Sequence, residues 1–255
     1  MSFEPKNRLD GLVAVITGGK GAIGLASARR LAALGARIVS VDRSGRSAVQ
    51  ALLDALPAVK SGAHFAITAS ISDSASLQDA ATAVSERAGR CDILINSAGY
   101  TKAVPPGDLD GLTDALFDDI VQTNLRGVFA TIRAFAPLLK ASGDGLIVNV
   151  SSIAGFTGAG SNLAYVAAKA GVDVLTKALA KSLAPQVRVL AVSPGVVESG
   201  FVPGRGADFN DKAAATIPLK RIGSVEDIAS AIEACATTLR FATGSRFVID
   251  GGRSL

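Results

Sequence analysis

Tyr165 and Lys169 stand four residues apart in a stretch, Tyr165–Leu183, whose apolar residues recur at helical spacing. One helical turn sets a phenol and an ammonium on the same face. A free phenol titrates near pH ~10, so its use as a proton acceptor at neutral pH needs roughly 4 kcal/mol of help. A neighbouring cation is one source of that help. Such a pair is a candidate general acid–base, taking a proton from a hydroxyl or returning one to a carbonyl oxygen. The spacing alone is frequent and carries little. Here Ser152 lies 13 residues upstream, just past an apolar run ending in Asn149-Val150-Ser151-Ser152. Taken alone, Ser152 reads as a turn residue.

A second constellation, Thr17-Gly18-Gly19-Lys20-Gly21-Ala22-Ile23-Gly24, follows an apolar run and precedes a helical one. Gly19, Gly21 and Gly24 fit G-x-G-x-x-G, which is weak alone and stronger between a strand and a helix. Glycines there let backbone N–H groups approach a pyrophosphate, and the helix amino end adds partial positive charge. Lys20 does not have the sequence context of a P-loop lysine. The next apolar run ends at Asp42, 18 residues past Gly24, where a carboxylate can accept both hydroxyls of an adenosine ribose and repel a 2′-phosphate. This favours NAD. Arg43 beside it, able to pair with a phosphate or stack on adenine, leaves NADP open.

These residues need elements to hold them. Leu12–Thr17, Arg37–Val41, His64–Ile67, Asp92–Asn96, Leu146–Val150, Val187–Val192 and Arg246–Ile249 are short apolar runs that alternate with helical segments such as Ile23–Leu34 and Ser76–Ala88. Continuous rather than alternating apolarity suits strands covered on both faces. The pattern predicts an α/β fold: one Rossmann-type, doubly wound sheet of seven parallel strands, spanning residues 1–255 as a single dinucleotide-binding and catalytic domain. Residues 196–212 form the one long irregular segment, read as a substrate-binding lid at the carboxyl edge of the sheet.

Composition narrows the partners. With 49% hydrophobic and 19% charged residues the chain can bury a large core, and its +4 net charge is scattered without a basic stripe for nucleic acid. Cys91 and Cys235 lie in or beside apolar runs and read as buried, inert thiols. His64, the only histidine, has no partner for a zinc site, so no metal is expected. No signal-peptide core and no apolar run near the ~18 residues of a membrane span are present, which places the protein in the cytoplasm.

Taken together, the sequence resembles the short-chain dehydrogenase/reductase family from Leu12 to Gly252. The motifs are the Thr-Gly turn at Thr17-Gly18 through Gly24, Asn96-Ser97-Ala98-Gly99, Asn124, Ser152, Tyr165 and Lys169, then Pro194-Gly195 with Ser199. Arg221-Ile222-Gly223, Glu226-Asp227 and Asp250-Gly251-Gly252 complete the order. The resemblance implies a catalytic set of Asn124, Ser152, Tyr165 and Lys169. Asn124 would distort its helix and hold a water for proton relay, and Lys169 would also hold the nicotinamide ribose. Around the dinucleotide it implies Gly18, Gly21, Ile23, Gly24, Asp42, Arg43, Ile71, Asn96, Ala98 and Gly99, joined by Tyr165, Lys169, Pro194, Gly195, Val197 and Ser199. Ala22, Ser70 and Ser97 depart from the family pattern, and Ser70 puts an adenine contact in doubt.

The activity implied is hydride transfer between a nicotinamide cofactor and a secondary alcohol, polyol or sugar, with a 3-oxoacyl-thioester reductase using NADPH as the alternative. A dinucleotide-sensing regulator without catalysis is disfavoured because all four catalytic residue types are kept. The substrate is a small molecule whose identity would be set near Thr101–Pro106, Ala154–Asn162 and Val196–Lys212. Their few charges, Lys102, Glu198, Arg205 and Asp208, offer no evident clamp for a strongly charged one. The apolar stripe of Tyr165–Leu183, with Ala168, Val172, Val174, Leu175, Ala178 and Leu179, is wider than one core face needs and must be covered, and the resemblance implies that a second copy covers it in a homotetramer.

Overall fold

The computed structural model describes residues 8–203 and 208–255. Seven strands form: β1 Val13–Thr17, β2 Arg37–Asp42, β3 Phe65–Thr68, β4 Ile93–Asn96, β5 Gly145–Val150, β6 Val187–Pro194 and β7 Arg246–Ile249. They make one sheet in the order β3-β2-β1-β4-β5-β6-β7, every neighbouring pair parallel. The first helices are α1 Ala22–Ala33, α2 Arg46–Asp54, α3 Ser74–Ala88, α4 Asp114–Val121 and α5 Gly127–Ala141. The later ones are α6 Ala154–Thr157, α7 Leu163–Leu183, α8 Phe209–Thr216 and α9 Val225–Thr237.

Side chains alternate faces along a strand, so a strand between two helical layers must be apolar at every position. In β1, Val13 and Val15 share one core with Leu77, Phe135 and Val172 of α3, α5 and α7. Ala14 and Ile16 share the other with Leu31, Leu53 and Ile232 of α1, α2 and α9. The two cores hold the sheet from both sides. Cys91 and Cys235 are buried in them, where desolvation pushes the Cys91 thiol far up and that of Cys235 up to about 12. His64 precedes β3 and is satisfied there: its Nδ1 faces the Ile38 N–H at 2.9 Å and its Nε2 the Pro57 carbonyl at 2.9 Å.

From β1 the strand order runs one way to β3 and from β4 the other way to β7, so the crossovers part above β1 and β4. The crevice at the carboxyl ends of these strands is where open parallel sheets bind ligands. Beyond β6, the segment expected to be irregular through Lys212 is already helical from Phe209. The run Asn210-Asp211-Lys212-Ala213-Ala214-Ala215 contains neither Gly nor Pro, and its alanines favour helix. Val197 also bridges to Gly223 in parallel. Of the expected lid, residues 204–207, including Arg205, lie outside the described residues.

Candidate active site

The site is built on three segments that meet above β1, β4 and β5. The first is the glycine turn. Gly18 has φ +66, a backbone conformation open to glycine, and a Cβ there would sit 2.8 Å from the Cα of Ala98 in the segment after β4. A Cβ on Gly24 would sit 2.4 Å from the Gly18 carbonyl oxygen. Close approach of backbones is therefore what these glycines permit. Gly21 caps α1 with no side-chain hydrogen bond to the helix amino end, which leaves that end to an anion.

Asp42 ends β2 beside this turn. Its Oδ2 accepts the Lys20 N–H at 3.2 Å and its Oδ1 the Ser44 N–H at 2.9 Å. Two backbone donors thus fix the carboxylate, while Arg43 stands exposed next to it. The turn residues and Asp42 could hold the adenosine end of a nicotinamide dinucleotide.

The second segment carries the amides. Asn124 is fully buried in a five-residue π-helical turn, Gln122–Arg126, between α4 and α5. Its Nδ2 donates to the Ile120 carbonyl four residues back at 2.9 Å and to the Tyr100 carbonyl at 2.6 Å. Its Oδ1 accepts the Tyr100 N–H at 3.3 Å. The side chain thus competes for a helix carbonyl and ties the widened turn to the loop after β4. The expected helix distortion is present. Both amide hydrogens are committed to protein, so the side chain retains only acceptor capacity on Oδ1 for a water.

The third segment is α7. Asn162 caps it, its Oδ1 accepting the Tyr165 N–H at 2.8 Å, which starts the helix at Leu163 rather than at Tyr165. Asn162 Nδ2 also donates to Thr101 Oγ1 at 3.1 Å and to the Lys102 carbonyl at 2.7 Å. This buried amide fastens the helix of Tyr165 and Lys169 to the opposite wall. The capping signal, an Asn just before the apolar helix, was open to sequence reasoning and was missed.

Lys169 is only 4% exposed. Its Nζ donates to the Val150 carbonyl at 2.8 Å and lies 5.5 Å from the centre of the Tyr165 ring. Burial lowers its pKa to about 8, and the Asp173 carboxylate one turn on pulls it upward. Ser152 sits at the start of the loop after β5, its Oγ accepting the Ala154 N–H at 3.2 Å.

Ser152, Tyr165 and Lys169 face one cleft of about 1120 Å³. Gly21, Ile23 and Gly99 line it, as do Pro194 at the end of β6 and Gly195, Val197 and Ser199 beyond it. Other sequence-chosen residues stand behind this surface. The Asn96 side chain is buried and donates to Asn149 Oδ1 at 2.8 Å, which in turn donates to Thr176 Oγ1 at 2.9 Å. Ala98 backs Gly18, Asn124 backs Gly99, and Ile71 packs on Gly127 in the core. Thr216 and Arg253 also line the cleft, and no motif or spacing pointed to either. Among the described residues, no group of three or more His, Cys, Asp or Glu side chains gathers to hold a metal ion.

Known proteins share this sequence and fold. The family described as enoyl-(acyl carrier protein) reductase matches residues 18–254. The chain belongs to the short-chain dehydrogenase/reductase family. It is 37% identical to the D-threitol dehydrogenase of Mycolicibacterium smegmatis over 259 residues, covering 100% of this chain and 97% of that one. It is 32% identical over 241 residues to a 3-oxoacyl-(acyl-carrier-protein) reductase of Staphylococcus epidermidis, with 94% and 97% covered. The solved structure of levodione reductase superposes with a TM-score of 0.89 at 32% identity, covering 97% of this chain and 99% of that one. The chain is therefore an oxidoreductase that acts on a small molecule with a nicotinamide dinucleotide. No helix among the described residues is long and apolar enough to cross a membrane.

Proposed function

We propose that this enzyme interconverts a secondary alcohol and its ketone and prefers NAD to NADP. Tyr165 takes the hydroxyl proton on oxidation and returns it on reduction, while Ser152 hydrogen-bonds the same oxygen. Lys169, buried beside the phenol, supplies the positive charge that favours the phenolate. When bound, the nicotinamide ring accepts or supplies the hydride. The Asn162 cap and the Asn124 turn hold the two walls of the cleft in register.

The observation that carries the cofactor preference is the Asp42 carboxylate, held by the Lys20 and Ser44 N–H groups at the edge of the glycine turn. A 2′-phosphate brought to about 4 Å would meet a like charge, a repulsion of up to about 4 kcal/mol per unit charge at an effective dielectric near 20. Exposed Arg43 and solvent offset part of this. In kcat/KM measured with both cofactors, wild type favours NAD and Asp42→Ala narrows the preference markedly. A wild type that prefers NADP would overturn the assignment. It would favour the second reading, a 3-oxoacyl-thioester reductase, which the apolar walls of the cleft and the Staphylococcus relative support.

We also propose a homotetramer. Ala168 and Val172 of α7 face the core, but Ala167, Val174 and Ala178 are exposed, Val174 by 66%. An apolar helix face of this kind calls for cover by a second copy. The mass in solution at micromolar concentration tests it, and a monomer would refute it.

A further inference from the structure

The Asp250-Gly251-Gly252 motif near the carboxyl end takes no part in the chemistry above, yet it forms a closely bonded turn. The Asp250 carboxylate accepts the Gly252 N–H and the Ser254 N–H, each at 2.8 Å. Arg253 donates its own N–H to the Asp250 carbonyl at 3.2 Å, and Leu219 donates to the Gly251 carbonyl at 3.2 Å. Gly251 and Gly252 adopt φ of +66 and +89, which only glycine takes readily. The turn delivers Arg253 to the rim of the cleft, where its guanidinium donates to Thr216 Oγ1 at 3.0 Å.

The surroundings of this cation are one-sided. Among the described residues lining the cleft there is no Asp or Glu, and the only other cation is Lys169. Lys169 is buried and donates to the Val150 carbonyl, so it is not the charge an entering anion meets first. The acids flanking the segment after β6, Glu198 and Asp208, are not among the lining residues, and Asp208 pairs with Lys212. Pro105, Phe201, Val202 and Phe209 make the nearby lining largely apolar. A guanidinium presents five N–H donors in a planar fork matched to a carboxylate, and only one of them is used on Thr216. A single guanidinium balances a monoanion. It falls short of a dianionic phosphate.

We propose that Arg253 is a substrate-recognition residue and that the natural alcohol or ketone carries a carboxylate on an otherwise apolar body. The inference rests on the oxidoreductase reading above and narrows its substrate class. It also revises the expectation that a charged substrate finds no clamp. The sequence put substrate selection in three segments, and Arg253 comes from a fourth.

The test compares 3-oxobutanoate with its methyl ester, titrated calorimetrically into the enzyme with oxidised NAD and NADP both present, so that neither ketone is reduced. The acid binds about tenfold more tightly than the ester, the scale of a charge-assisted hydrogen bond at a partly solvated rim. Arg253→Gln brings the ratio to about one, leaving ester affinity and thermal unfolding unchanged. If the acid gains nothing over the ester, or if neither binds, the proposal falls. An acid preference that survives Arg253→Gln also overturns it. Reduction of the ester with reduced dinucleotide reads the parent assignment separately: turnover with equal affinities keeps the oxidoreductase reading and removes the carboxylate site.

Discussion

The two walls of the cleft are made in different ways. On the glycine-turn side, backbone touches backbone: a Cβ would fall 2.8 Å from Ala98 Cα at Gly18 and 2.4 Å from Gly18 O at Gly24. On the side beyond β6 there is slack. A Cβ on Gly200 would meet nothing within 4 Å, and Phe201 is 38% exposed while its ring centre lies 6.0 Å from that of Tyr165. A pyrophosphate is recognised by main-chain N–H groups and a helix end, so its wall is fixed by where side chains are missing. A substrate is recognised by side chains on exposed loops, which change without cost to the sheet below. Tyr165 belongs to the first kind of wall by burial and touches the second through Phe201.

That position makes Tyr165 the place to strike hardest. Tyr165→Phe keeps the ring against Phe201 and removes the proton-carrying oxygen. Turnover drops about 10²–10⁴-fold, while dinucleotide affinity and unfolding temperature hold. Retention of more than a tenth of wild-type kcat would sink the assignment. A matched pair of alanine substitutions then tests the contrast itself. Gly18→Ala sets a side chain at positive φ against Ala98 Cα, costing roughly 1–3 kcal/mol of stability and weakening dinucleotide binding. Gly200→Ala stays within about 0.5 kcal/mol of wild type and leaves dinucleotide binding alone. Thermal unfolding and NAD titration read both variants, and equal effects would erase the distinction between the walls.

The same division explains what the sequence could show. Strands packed on both faces must be apolar throughout, which made β1 to β6 legible; β7, at the sheet edge with Arg246 and Val248 exposed, showed only as a short run, and no strand end moved by more than two residues. The glycine turn and the Tyr165–Lys169 spacing were legible because local backbone geometry dictates them. The inward turn of Asn96 onto Asn149 was not, since strand pairing sets it across 53 residues. Arg253 was hidden for a similar reason: it reaches the cleft only because Leu219 and Thr216 receive the carboxyl-terminal turn. The helix at Phe209 was obscured by Pro203 and the nearby glycines, which made the whole stretch read as irregular.

The smallest effect concerns how the buried wall keeps its charge. Desolvation lowers Lys169 to about 8, and the Asp173 carboxylate opposes it. Asp173 is itself buried, with one oxygen 2.8 Å from Arg246 Nη1 of β7 and the other without a hydrogen-bond partner. Above pH 8 Lys169 loses its proton and the phenolate of Tyr165 loses its supporting cation, so kcat/KM for alcohol oxidation has a descending alkaline limb. Asp173→Asn removes the group that raises Lys169 and leaves the Arg246 charge uncompensated nearby. Both changes lower the lysine further, so the limb moves to lower pH. At pH 8.5 the variant loses about two- to threefold in kcat/KM, whereas near pH 6.5, where Lys169 is charged in both proteins, the two agree. A full pH profile of each protein checks this. Superimposable limbs would show that Asp173 serves only to anchor Arg246, and that burial alone sets the lysine.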